Sequence, residues 1–319
     1  MKVAVLLEQR RQNWLELDRL CDQVRRRKHE AELVVRFASL YRAACADLAL
    51  ADAYQLPPGT VQYLHQLVGR AHNQLYRSRR RLDLARLGRT LLVDVPRRIF
   101  RDRCVQIALL LFWATFLGSA AMAYFDADWG LQVVPPGMIE MLEDSFDEPL
   151  SMRDPQANFA MAGFYIQHNT TIGLRCFASG ILIVPGLYET LYNALVLGAC
   201  FGYMARPGVA AGGNFYEFVT AHGPFELTAI ALAAGAGLRL GLGWINTGGL
   251  TRAASLRKTA TDTVPLMGVS GALFFLAALI EAFFSPLPLP YSIKAGVAVV
   301  TGVILFLYIV VLGFPRRVR

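Results

Sequence analysis

Two kinds of hydrophobic pattern divide the chain near residue 103. Before that point apolar residues recur at helical spacing among charged ones, as in amphipathic helices. Trp14, Leu17, Leu20 and Val24 share one face, and Leu33, Phe37, Leu40, Ala44 and Leu48 a second. Val61, Leu64, Val68, Ala71 and Leu75 share a third. Pro57-Pro58-Gly59 sets a turn between the second and third helices, so a small antiparallel helical bundle is predicted. A fourth segment, Arg77 to Arg103, mixes Leu84, Leu87, Leu91 and Ile99 with arginines and is interrupted by Pro96. It reads as a basic interfacial helix, with a solvated connector as the alternative.

Beyond residue 103 the apolar runs become long enough to cross a bilayer core, which takes about 20 helical residues. Val105–Phe125 carries no charge, follows Arg101 and Arg103, and runs into Tyr124 and Trp129 at its far end. The next apolar region is too long for one span. Pro185-Gly186 divides it into spans of residues 165–184 and 187–204. The first of these holds His168, Asn169 and Arg175, so its first turns are expected to lie along the interface or to be broken. Residues 225–245, 264–284 and 293–314 complete the set. The expected fold is all-α: a polytopic bundle of six transmembrane helices over residues 104–315, preceded by a cytoplasmic helical bundle over residues 1–103. An acidic external loop, residues 126–157, contains one short amphipathic helix with Met138, Ile139, Leu142 and Phe146 on its apolar face. That helix could dock on the membrane domain or on a partner.

Charge fixes the expected orientation. The 319-residue chain is 55% hydrophobic and 18% charged, with a formal charge of +8. Residues 1–103 carry 21 Lys/Arg against 11 Asp/Glu, whereas residues 126–157 carry 8 acidic residues against Arg153 alone. Arg252, Arg257, Lys258 and the tail Arg316, Arg317 and Arg319 supply the other basic flanks. Six spans put every basic flank and both termini on one side, the cytoplasmic face of an inner membrane. The basic excess adjoins the first span, where membrane lipids and topology account for it, and no nucleic-acid partner is expected. Met1 to Leu7 is too short an apolar run for a cleavable signal. The five cysteines form no CxxC pair and read as packing residues.

A charged group inside a span costs about 2.5–3.5 kcal/mol, so each needs a partner or a role. The candidates are Asn169, Arg175, Glu189, Asn193, His222, Glu226, Arg239, Glu281 and Lys294. Glu226 and Arg239 are 13 residues apart on one helix, roughly 20 Å of rise, and cannot pair with each other. Their depths predict contacts of Glu189 with Arg239 and of Arg175 with Asn193, while Glu281 and Lys294 either pair or reach into headgroups. His168 and Glu281 fall in the same outer layer as His222 and Glu226. The i, i+4 spacing of His222 and Glu226 suits metal ligation. It equally suits a helix start, with Pro224 in the first turn and an early Glu on the N-terminal dipole. The helix start is the preferred account, and no metal, cofactor or catalytic residue is expected. Gly198 and Gly202, and Gly237 and Gly241, are GxxxG pairs that let helix backbones touch, either within the chain or in a homo-oligomer.

Three membrane stretches, Ile166–Gly198, His222–Gly241 and Ile280–Pro286, together with Leu40–Ala49 and Leu67–His72 in the head, resemble the stage II sporulation protein M family of integral membrane proteins. The most specific part is His222-Gly223-Pro224-Phe225-Glu226 with its glycine-rich continuation. Ala194 stands where similar proteins have glycine, which loosens the close packing expected there. The resemblance implies an envelope protein that anchors a complex. In members outside spore-formers it also implies genetic neighbours such as a MoxR-type ATPase and von Willebrand factor A-type proteins as protein partners. A non-catalytic scaffold is therefore the leading expectation. A permease-like subunit is the alternative, on the strength of buried charge and the interrupted second span. An intramembrane metal enzyme using His168, His222 and Glu226 is the third.

Overall fold

The computed structural model describes residues 9–24, 31–75, 84–151 and 154–314. Every regular element among them is helical, and the chain divides into two compact units, Met1–Asp83 and Leu84–Arg319.

The first unit holds α1 (Arg11–Val24), α2 (Ala31–Ala53) and α3 (Pro58–Leu75). Their apolar faces meet in one core built on Trp14, Leu17, Phe37, Leu40, Leu64 and Leu67. Leu67 extends the face predicted for α3, and the side chain of Val24 lies outside the described residues. The core encloses one carboxylate. Asp47 accepts from Trp14 Nε1 at 2.8 Å and pairs with Arg10 at 2.5 Å. A buried charge is tolerated only when paired and hydrogen-bonded, so this contact ties the start of α1 to the middle of α2. Burial pushes the Cys21 thiol up to about 11, which leaves it a packing residue.

The second unit begins with α4 (Leu84–Arg89), a π-turn over Thr90–Asp94, and α5 (Val95–Arg101). It continues through α6 (Arg103–Phe125), α7 (Ala127–Val133), α8 (Met138–Phe146), α9 (Pro155–Gly180) and α10 (Val184–Met204). It ends with α11 (Gly212–Val219), α12 (Gly223–Ile245), α13 (Arg252–Leu279) and α14 (Tyr291–Phe306). π-helical turns extend α13 over Ile280–Phe284 and α14 over Leu307–Val311. Four of these helices are long and apolar enough to cross a membrane: α6, α12, and α13 and α14 with their extensions. Helices α9 and α10 are of similar length, 26 and 21 residues, but fall short on composition because each carries charged and amide side chains. α9 starts at Pro155, ten residues ahead of the span expected there, and runs unbroken past His168 and Arg175.

Helix α12 is the centre of this unit. Its apolar window is 78% buried, against 17% for α14 at the periphery. A helix apolar on every side needs neighbours on every side, and α6, α9 and α13 supply them. Small residues make the approach possible. A Cβ on Gly180 would lie 2.5 Å from the Gly237 carbonyl carbon, and one on Gly241 would strike the Gly180 carbonyl oxygen. Gly198 and Gly202 of α10 lie in the same way against the backbone of Phe116 and Ala120 on α6. Both GxxxG pairs are thus used inside the chain. The α9–α10 connection is equally tight. Ile183 takes φ 53° and ψ −67°, and Val184 N–H donates to Leu182 O at 2.6 Å, a strained γ-turn for a β-branched residue.

The segment Leu84–Arg103, grouped with the head on sequence, packs on the second unit. Tyr308 Oη donates to Leu91 O at 2.7 Å, and Arg98 pairs with Asp262 at 2.7 Å. Phe100 stacks edge-on against Phe314 at 5.7 Å. Val95 and Ile99 of this segment lie in the main core and Leu91 packs against it, while Leu84, Leu87 and Leu92 stay exposed. The remainder of that segment, Arg77–Asp83, lies outside the described residues, as do Arg153 and the basic tail. The start of α6, Asp262 on α13 and the end of α14 therefore gather at one end of the unit. Helices α8 and α11 and the turn after α13 lie towards the other.

Candidate functional site

The N-terminal end of α12 meets α9 and the π-turn after α13 around a cluster of polar side chains. His222 precedes the first turn of α12, where Pro224 occupies an early position that needs no N–H donor. One turn on, Glu226 Oε2 lies 3.6 Å from His222 Nε2. The other ring nitrogen, Nδ1, is 3.1 Å from Ser285 Oγ. Glu281 comes from the π-turn, and its Oε2 accepts from Asn169 Nδ2 of α9 at 3.4 Å. The π-turn closes with Ser285 N–H donating to Ile280 O at 2.8 Å, and both Glu281 and Ser285 are buried. Single π-turns of this kind often occur at functional sites. Lys294 of α14, fully buried, donates from Nζ to the Ser285 carbonyl at 2.9 Å. One ligand atom from each of His222, Glu226 and Glu281 can be chosen so that all lie within 4.8 Å of one another.

A cavity of about 520 Å³ opens onto this cluster. His168, Asn169 and Tyr165 of α9 line one wall, and Met138, Leu142 and Phe146 of α8 cover it. The amphipathic helix expected in the acidic loop is α8, and it docks on its own chain. Phe146 packs edge-on against Phe215 at 5.4 Å, and Asn214 Nδ2 donates to Phe146 O at 2.8 Å. Phe218 presents its edge to His222 at 5.7 Å. The cluster is therefore covered by aromatic and aliphatic side chains on the side away from the helix core.

Four of the nine polar residues singled out on sequence thus converge, Asn169, His222, Glu226 and Glu281, with Lys294 behind them on the Ser285 carbonyl. The other four do not join them. Arg239 is at the opposite end of α12, half-exposed, with Nε 3.3 Å from Asp102 Oδ2. Glu189 does not reach it, because the α12 face that carries Arg239 is turned towards the start of α6 and not towards α10. Asp102 also caps α6, accepting from Cys104 N–H at 2.9 Å. Asn193 bonds its own helix, donating to Glu189 O at 2.7 Å, and sits 3.9 Å from Cys176 Sγ. Arg175 is exposed on the outer side of α9, so the expected Arg175–Asn193 contact is absent. Lys294 was expected to pair with Glu281 or reach into headgroups, and it turns to the Ser285 carbonyl. His168 is exposed at the cavity edge, stacked on Phe164 at 5.6 Å. Sequence reasoning overlooked Ser285 and Asp102. Ser285 was visible only as part of Ile280–Pro286, since a lone serine at a helix end carries no signal of its own. Asp102 looked like one charge in a basic run.

A family model described as stage II sporulation protein M matches residues 107–286. A second, described as a domain of unknown function (DUF8413), matches residues 4–77. No curated protein and no solved structure matches the chain. The first match contains Asn169, His222, Glu226, Glu281 and Ser285, and the second takes in α1, α2 and α3.

Proposed function

The chain belongs to the stage II sporulation protein M family, and on that premise we propose that it is a non-catalytic scaffold, or anchor subunit, of a cell-envelope complex. In this proposal it crosses the inner membrane six times, with α9 and α10 as the second and third crossings and both termini in the cytoplasm. The glycine contacts of α9 with α12, and of α10 with α6, support that count, since they run along the apolar helices as crossing partners would. The contacts of the basic segment with Asp262 and Phe314 at one end of the unit agree with an even number of crossings.

The observation that carries the scaffold is a head with its own core, three helices among its described residues, that forms a unit distinct from the membrane one. Such a head suits a docking platform for cytoplasmic proteins, such as a MoxR-type ATPase or von Willebrand factor A-type proteins. Purification of the full chain in mild detergent, with mass spectrometry of what accompanies it, tests the proposal. A stoichiometric partner that is lost when residues 1–83 are deleted supports it. A homogeneous protein without a partner sinks it. The cavity beside His222 favours a second account, a permease-like subunit, although the unbroken α9 removes the interrupted helix that had argued for it. Substrate-dependent thermal stabilisation abolished by Glu226→Gln would favour that account.

A further inference from the structure

We propose that His222, Glu226 and Glu281 bind one divalent transition-metal ion at the base of the cavity covered by α8. The cluster combines an imidazole with two carboxylates drawn from two separate elements, the start of α12 and the π-turn after α13. Its ligand atoms are pre-gathered within 4.8 Å. Two ligands bonded to a zinc-sized ion at about 2.1 Å in tetrahedral geometry stand roughly 3.4 Å apart. The observed 3.6 Å between His222 Nε2 and Glu226 Oε2 already matches that separation. The edges to Glu281 are no longer than 4.8 Å and would shorten as the ion draws its carboxylate in. The two carboxylates would balance a divalent charge inside an apolar unit, where unbalanced charge is costly.

The surroundings have the form of a second coordination shell. A metal-bound histidine characteristically commits its other ring nitrogen to a hydrogen bond, which fixes ring orientation and tautomer. His222 Nδ1 meets Ser285 Oγ, leaving Nε2 turned towards the carboxylates. Asn169 Nδ2 holds Glu281 in the same way. Ser285 is itself positioned by Lys294 through the main chain. Ser285 and Asn169 are positioning residues in this scheme, and the cavity leaves a fourth coordination place for water or a ligand. One imidazole and two carboxylates suit zinc, manganese or ferrous iron; an oxygen-only cage would be wanted for calcium.

The test uses the full chain, purified in detergent without chelator and with any affinity tag removed. Metal content is measured by mass spectrometry, and Zn²⁺ or Mn²⁺ is then titrated into chelator-stripped protein while its melting temperature is followed. About one ion per chain and a rise in melting temperature are expected. Glu226→Gln and Glu281→Gln should each weaken binding by more than about tenfold, and Ser285→Ala by about tenfold, as for outer-shell partners elsewhere. X-ray absorption of the loaded protein should report nitrogen and oxygen neighbours and no sulfur. Monodisperse wild-type protein that takes up neither ion would overturn the proposal. So would folded Glu226→Gln and Glu281→Gln proteins that bind as the wild type does. Should both glutamine variants fail to fold, Ser285→Ala, which keeps nearly the same volume, decides the matter: undiminished affinity refutes the site.

Discussion

The two ends of α12 solve the same problem in opposite ways. Both bring ionisable groups to a helix that is otherwise apolar on all sides. At the start of α12, His222 and Glu226 are drawn inwards against Glu281, Asn169 and Ser285, with Lys294 behind them. At its far end Arg239 faces Asp102 beside Arg97, Arg101 and Arg103, and side-chain exposure reaches 49% for Arg239. The first end is a closed network whose members each depend on another chain segment. The second is an open basic rim that water or lipid headgroups can solvate. Exposed charge of the latter kind is common where a span meets the interface. Desolvated polar groups held in a pocket require a reason, because each must be satisfied by the protein itself.

That contrast holds only while α12 is fixed against its neighbours, so the strongest way to break it lies between the two ends. Gly237→Leu would force a side chain into the Phe177 backbone of α9. No flexible group there can yield, and overpacking of this kind exceeds the usual cost of about 1–3 kcal/mol. The expected outcome is loss of monodisperse protein in detergent, read by gel filtration. At the closed end, Asn169→Leu removes the amide that donates to Glu281 and sets an apolar side chain against a carboxylate. An unsatisfied buried acceptor costs about 1–3 kcal/mol, and more when charged. A fall in the melting temperature should be plain, and normal stability would mean that the Asn169–Glu281 contact is incidental.

The sequence carried the helices more completely than their contacts. Periodicity marked the buried faces of Trp14, Leu17, Phe37, Leu40 and Leu64 in the first unit, because a half-exposed helix must repeat its apolar positions. In the second unit that signal is lost. α12 is apolar all round, so nothing in its own pattern says which neighbour meets which face. The Glu189–Arg239 expectation failed for this reason: depth was legible from residue number, but rotation about the helix axis was not. Depth alone did put His168, His222, Glu226 and Glu281 in one layer. What drew three of those four together with Asn169 was the π-turn at Ile280–Phe284, a local change of helical pitch that composition does not announce. The basic segment Leu84–Arg103 carries the same ambiguity. A basic run with a few leucines looks alike whether it lies on lipid or on protein.

At the open end the effects should be smaller and should separate into two parts. Asp102 both caps α6, through the Cys104 N–H, and faces Arg239. Loss of an N-cap costs about 0.5–2 kcal/mol, so Asp102→Ala should lower the melting temperature measurably. Asp102→Asn keeps a capping oxygen and should recover most of that loss. Arg239→Ala removes only the half-exposed ion pair, and such pairs contribute between about 0 and 1 kcal/mol. Its effect should be the smallest of the set and should shrink further as salt is raised, since exposed pairs are screened. Melting curves of the three variants at low and high salt test this ordering. If Arg239→Ala proved as damaging as Asn169→Leu, and remained so at high salt, the far end of α12 would be a closed polar site like the first, and the contrast between them would fall.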